Sequence, residues 1–174
     1  MAASTANRWL RLLKHRAFDA GDARRAVGGD AGLARLEARV RESERRHAGE
    51  ICVSVEGGLP PSYVWQRLTP RDRAIMLFGK LRVWDTEANN GVLIYVLLAE
   101  HAIEIVADRG VARHVPPGHW AAVVAHMGEA FRAGRVEQGL MQAIAEVEAL
   151  LVAHFPLAEG QSNPNELPDA VDLR

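Results

Sequence analysis

Asp85, Glu87, Asn89 and Asn90 crowd four oxygen-bearing side chains into the run Val83-Trp-Asp-Thr-Glu-Ala-Asn-Asn-Gly91. Carboxylates and amide carbonyls at that density suit hard cations, because Ca²⁺ takes roughly six to eight oxygen ligands and Mg²⁺ about six. The 85, 87, 89 alternation resembles the opening of an EF-hand loop. Gly91 falls one residue late, however, and Val96 stands where the bidentate Glu is needed, so that motif is excluded. The same residue types also build turns, since Asn and Asp close Asx-turns and tolerate left-handed backbone. On residue chemistry alone, cation site and turn both stand as readings of this loop.

The elements around the loop decide what else reaches it. It feeds the apolar run Val92–Leu98, and Ile103–Asp108 returns after a short turn with an acid at its end, so a hairpin is the natural pairing. Placing residue 98 opposite 103 sets Asp108 opposite Leu93, back at the end where the loop enters. Glu50–Glu56 alternates Ile51, Val53 and Val55 with Glu50, Cys52, Ser54 and Glu56, the period of a strand, and Gly57-Gly58-Leu59-Pro60-Pro61 ends it. If this strand crosses over in parallel to 92–98, the crossover is right-handed and brings the 47–50 segment to the same edge. The candidate metal set is therefore Asp85, Glu87, Asn89, Asn90, Asp108 and Glu50, with Ca²⁺ or Mg²⁺ as the expected cofactor.

Helices must cover such a sheet. Asp30 reads as the N-cap of a helix over 31–47, with Leu33, Leu36 and Val40 on one face and Glu37–Arg41 and Glu42–Arg46 pairs on the other. Thr69-Pro70-Arg71-Asp72 is a strong helix start: a Thr cap, Pro at the first position, an acid in the first turn. Further helices are expected over 117–132 and, after Ala133-Gly134-Arg135, up to about Phe155. The order α-β-α-β-β-α-α predicts an α/β/α sandwich: a small mixed β-sheet, parallel crossover plus β-hairpin, covered by helices on both faces. The expected divisions are a basic amphipathic segment and linker (1–29, with 19–30 rich in Gly and Ala), an α/β domain (30–155) and a flexible acidic tail (156–174).

Composition narrows the function classes. A net charge of −1 and a pI near 6.7 argue against nucleic-acid binding. The charge is uneven, since residues 1–46 hold 11 basic against 6 acidic side chains. Cys52 is the only cysteine, so no internal disulfide forms; mid-strand, it is expected to be an inert thiol. The longest apolar run, Val92–Ala99, is far short of the roughly 20 residues that span a bilayer. With no signal core at the start, a cytoplasmic protein is expected. Residues 8–18 are expected to dock on the body through Trp9, Leu12 and Phe18, with peripheral membrane contact the less favoured alternative.

Gly49-Glu50-Ile51 opening one strand, Asn89-Asn90-Gly91 opening the next, the Ile103–Gly110 return strand, and Phe131-Arg-Ala-Gly134 followed by Gly139 together resemble the TPM domain family. The likeness covers roughly residues 33–155. It implies an α/β sandwich; some members are described as calcium-binding acid phosphatases, others as membrane-associated accessory factors. The family's metal-associated positions map onto Asp85, Asn89 and Asn90, with Glu50 at the strand start. The chain departs from the pattern where Asp108-Arg109-Gly110-Val111-Ala112 replaces the usual Gly-x-Gly-Leu-Glu, losing one family acid and gaining Asp108. The family's typical signal peptide, transmembrane helix and glycine-rich tail are not expected of this chain from its residues. The expected function is a divalent-cation-binding accessory module with a possible protein partner. The alternative is a weak metal-dependent phosphatase, with Asp85 or Asp108 as ligand or base and Arg82 or Arg109 holding phosphate. The residues show no activated nucleophile for it.

Overall fold

The computed structural model describes residues 2–158 and 160–174, with side chains from Trp9 onward. Three helices come first: α1 (Ala2–Arg16), α2 (Ala20–Ala26) and α3 (Gly29–Glu44). Strand β1 (Glu50–Glu56), helices α4 (Pro61–Trp65) and α5 (Pro70–Lys80), and the hairpin β2 (Gly91–Leu97) and β3 (Ala102–Ala107) follow. Helices α6 (Arg109–Ala112), α7 (His119–Arg132) and α8 (Val136–His154) precede a last short strand, β4 (Asp172–Leu173). The sheet order is β3-β2-β1-β4; β1 lies parallel to both β2 and β4, and β2 is antiparallel to β3.

The expected sandwich is present. Ile51, Val53 and Val55 of β1 and Val92, Ile94 and Val96 of β2 pack on one side with residues of α2, α3, α7 and α8. Leu93, Tyr95 and Leu97 face the other way, against Leu59, Val64, Ala74, Leu77 and Val83, with Leu12 of α1 alongside. Every residue of β1 and β2 is buried. The alternation in β1 therefore separates two covered faces, and its polar residues need partners. Glu56 finds them in Arg73 (Nε to Oε2 2.8 Å, Nη2 to Oε1 2.5 Å) and in the Tyr95 hydroxyl, which donates to Oε2 at 2.7 Å. Arg73 also lies over the Tyr63 ring, 5.0 Å from its centroid. The helix start at Thr69 forms as its residues predict, with a reciprocal Thr69–Asp72 capping box.

The structure corrects several expectations. Residues 19–30, read as a linker, contain α2: Asp19 and Asp22 form a capping box, and Ala23 and Val27 are fully buried. Small residues are needed there to let the helix approach the core. Asp30 does not cap α3; Gly28 does, in a left-handed conformation (φ 87°), while Asp30 sits in the first turn and pairs with Arg24. The i,i+4 pairs of α3 give way to tertiary partners: Arg41 binds Asp169 at 3.1 Å and Arg46 binds Glu148 at 2.8 Å. The hairpin register pairs Leu93 with Val106, so Asp108 lies opposite Gly91, two residues from the expected partner but on the same face. Residues 172–173 pair with β1, and Leu167 and Val171 are buried, so the segment read as a flexible tail is folded onto the body. It covers an edge of β1 that would otherwise leave its hydrogen-bonding groups open. Of the residues expected to dock α1, Leu12 is packed, Phe18 is half-buried, and Trp9 is 57% exposed.

Candidate functional site

The loop from α5 into β2 is wound by its own hydrogen bonds. Asp85 closes a turn through its N–H to Arg82 O (2.9 Å), and its carboxylate pairs with the Arg82 guanidinium. Thr86 is buried, and its hydroxyl accepts the Asn90 N–H at 3.0 Å. Asn89 takes left-handed backbone (φ 53°) and stays exposed. The chain then reaches Asn90, 1% exposed, whose Nδ2 donates to Ala48 O at 2.8 Å. That bond turns Oδ1 to a buried position with no hydrogen-bond partner. Gly91 has to be glycine for a steric reason, since a Cβ there would lie 2.0 Å from Val83 O.

Asp108 arrives at the same edge from β3. Its N–H donates to Gly91 O at 2.9 Å, its Oδ1 caps α6 by accepting the Arg109 N–H at 2.6 Å, and its Oδ2 is buried without a partner. Gly110 then donates to Asn89 O at 3.0 Å, and a Cβ at Gly110 would come within 2.5 Å of that oxygen. The close approach ties the loop to the start of α6.

Glu50 completes the edge. It is fully buried, and its N–H points to Asn90 O at 3.4 Å. Its carboxylate accepts the N–H groups of Glu166 (3.1 Å) and Leu167 (3.3 Å), both from the C-terminal segment. Burial raises its pKa to about 7; the two backbone bonds pull the other way, and the neighbouring Glu166 and Asp169 charges add to the rise. Glu44, bonded to the Ile51 N–H and set beside Asp169, is pushed to about 9, again first by burial. His47, whose Nδ1 faces Gly49 O at 3.0 Å, is lowered by burial to about 4. The edge is thus rich in acids held away from water.

Of the six candidate ligands, Glu50, Asn90 and Asp108 gather where β1 and β2 begin. Asp85 turns to Arg82, and Glu87 and Asn89 stay on the exposed rim. A groove of about 790 Å³ runs beside them, lined among others by Glu87, Asn90, Gln161, Ser162 and Glu166. Glu166, whose carboxylate accepts the Glu87 N–H at 3.0 Å, is a site residue that the sequence reading missed. Its only signal was an acid in a Pro-rich stretch without a strand pattern. Thr86 and Asn163 were also passed over. Asn163 Nδ2 reaches both His47 O (3.0 Å) and Gly49 O (3.1 Å).

The family model of the TPM domain matches residues 30–150. The chain belongs to the TPM domain family. Its fold is similar to the solution structure of the BA42 protein from the psychrophilic bacterium Bizionia argentinensis. The two share 26% identity at a TM-score of 0.69, over 80% of this chain and 90% of that one. It is also similar to the N-terminal domain of a P. gingivalis protein, with 20% identity and a TM-score of 0.61 over 79% and 90% of the two chains. No curated protein matches the chain.

The cation that the family resemblance implies meets a mixed donor set in this TPM domain. Among the described residues, no three His, Cys, Asp or Glu side chains group as a metal centre. What does fit a hard cation is narrower: the Asn90 Oδ1 and Asp108 Oδ2 atoms, both oxygens, both buried and both unpartnered at one sheet edge. Around them, the groups considered for phosphoryl chemistry are dispersed. Arg82 is engaged by Asp85, Arg109 is exposed at the start of α6, and burial pushes the Cys52 thiol up to about 12.

Proposed function

We propose that this TPM domain is a divalent-cation-binding accessory module, with the cation taken at the edge where β1 and β2 begin and β3 ends. The observation that carries this reading is the pair of buried, unpartnered oxygens on Asn90 and Asp108. A buried acceptor without a donor costs on the order of 1–3 kcal/mol, a cost that a bound cation would offset. Ca²⁺ or Mg²⁺ suits an all-oxygen set. Asn90 and Asp108 would hold it, and Glu87, exposed on the groove that Asn90 also lines, is the acid placed to add a ligand. When bound, the ion supplies positive charge to an edge that otherwise has Glu44, Glu50 and Asp169 close together.

The phosphatase alternative draws on the same edge, with Arg109 as its phosphate-binding group; an accessory role needs no such group. Thermal melting of the chelator-treated protein tests the binding claim. Ca²⁺ at about 100 times its Kd is expected to stabilise the fold by about 2.7 kcal/mol, a rise of several degrees in Tm. An unchanged melt up to millimolar Ca²⁺ and Mg²⁺ contradicts it. Hydrolysis of an aryl phosphate that appears only with the ion and is lost in Arg109→Ala favours the phosphatase instead.

A further inference from the structure

Helix α1 is attached to the domain the wrong way round for an ordinary surface helix. Its inward side is polar. Arg11 donates to Glu100 Oε1 (2.7 Å) and to Leu68 O (2.8 Å); His15 bonds Glu100 Oε1 through Nε2 (2.8 Å) and accepts the Leu59 N–H at Nδ1 (3.0 Å). His15 is buried, and Leu12 is the leucine of α1 that packs inward. Trp9, Leu10 and Leu13, at i, i+1 and i+4, share the opposite face and are 57, 64 and 63% exposed. Trp65 of α4, 53% exposed, stands edge-on to Trp9 with ring centroids 6.4 Å apart and extends the patch. A soluble domain normally turns the apolar stripe of a surface helix inward.

The charges around the patch say what covers it. Every ionisable side chain of α1 is basic: Arg8, Arg11, Lys14, His15 and Arg16. Lys14 and Arg16 border the apolar face on opposite sides, are exposed, and form no ion pair with any described residue. Glu100, the acid facing this helix from the body, is already taken by Arg11 and His15. Helix α4 carries no charge, and Arg67 follows it. A second copy of the chain would bring the same cationic rim against this one, so self-association places like charges together. An apolar face carrying tryptophans and bordered on both sides by cations of α1 matches the interface of an anionic bilayer. No helix of the described residues is long and apolar enough to cross a membrane, so the contact lies in the interfacial plane. We propose that the outward face of α1, with Trp65, docks the domain on an anionic lipid surface.

The test is co-sedimentation of the full chain with vesicles of mixed phosphatidylglycerol and phosphatidylcholine, and of phosphatidylcholine alone, at low and raised salt. Binding to the anionic vesicles alone is expected, weakening as salt is added. Lys14→Glu/Arg16→Glu is expected to weaken it at least tenfold, and Leu13→Glu by a similar factor, with far-UV circular dichroism and melting unchanged because these side chains are exposed. No association with anionic vesicles at low salt, or equal binding by wild type and both variants, overturns the proposal. So does a dimer in light scattering that Leu13→Glu dissociates, which would assign the face to a second copy.

Discussion

Strand β1 begins and ends with a buried glutamate, and the two ends treat it differently. Glu56 lies against the Arg73 guanidinium and the Tyr95 hydroxyl, with 3% of its side chain and 7% of Arg73's exposed. Glu50 is as deeply buried but receives only two backbone N–H groups, with Glu44, Glu166 and Asp169 nearby and a pKa of about 7. One end is a closed ion pair whose partners are all supplied by the fold. The other is an acid-rich edge flanked by unpartnered oxygens on Asn90 and Asp108. A buried carboxylate with its own cationic side chain marks structure; the proposed cation site rests on the other end, where acids and orphaned acceptors collect.

The comparison can be broken hardest at the closed end. Arg73→Met leaves Glu56 and the Tyr95 hydroxyl together in the core without their cation, and is expected to cost about 3–5 kcal/mol in urea denaturation. Adding Glu56→Leu in the same chain should restore most of that loss. If Arg73→Met alone costs less than about 1 kcal/mol, the pair is not the closed structural unit described here.

The open end is sharpened by pH. Glu50 is raised from its ordinary 4.5, so between 4.5 and about 7 the unfolded chain has given up this proton while the folded chain keeps it. Its share of the stability is therefore present at acid pH and lost as pH rises through that window. Glu50→Gln cannot ionise, and is expected to reduce the stability lost between about pH 5 and about pH 8 by about 2 kcal/mol. Glu44, held at about 9, keeps a slope of its own, and His47, lowered to about 4, weakens the fold on the acid side, so the variant is read against wild type. A variant with the wild-type pH profile removes Glu50 as a strained acid. The smallest effect is expected from Asn163→Ala. Losing its bonds to His47 O and Gly49 O should cost about 1 kcal/mol and loosen the segment that supplies the Glu166 and Leu167 donors.

Regular elements were legible in the residues because their patterns are local. Thr69-Pro70-Arg71-Asp72 announced α5, the β-branched run marked β1, and the hairpin followed from two apolar stretches about a turn apart. Most of the larger departures share a cause, which is that their stabilising partners lie far off in sequence. Small residues in 19–30 look like linker until Ala23 and Val27 have a core to enter. Residues 156–174 look unstructured until β1 offers an edge. The alternation puts Glu56 on the polar side of β1 but does not show its partners, because Arg73 and Tyr95 are 17 and 39 residues away. At the site, the convergence of Glu50, Asn90 and Asp108 followed from topology. That Asp85 turns to Arg82 rests on a local i,i+3 pair competing for the loop's carboxylate, whereas Glu166 arrives from the C-terminal segment, a partner that no spacing encodes.

Calorimetric titration of Ca²⁺ into the chelator-treated protein tests the cation edge most directly, with Asp108→Asn and Asp85→Asn alongside. Asparagine caps helices about as well as aspartate, so Asp108→Asn should preserve α6 while removing a charged oxygen. Saturable binding by wild type, unchanged by Asp85→Asn and weakened at least tenfold by Asp108→Asn, is the predicted result. No heat up to millimolar Ca²⁺, or equal losses from the two substitutions, would contradict a cation held at the buried edge.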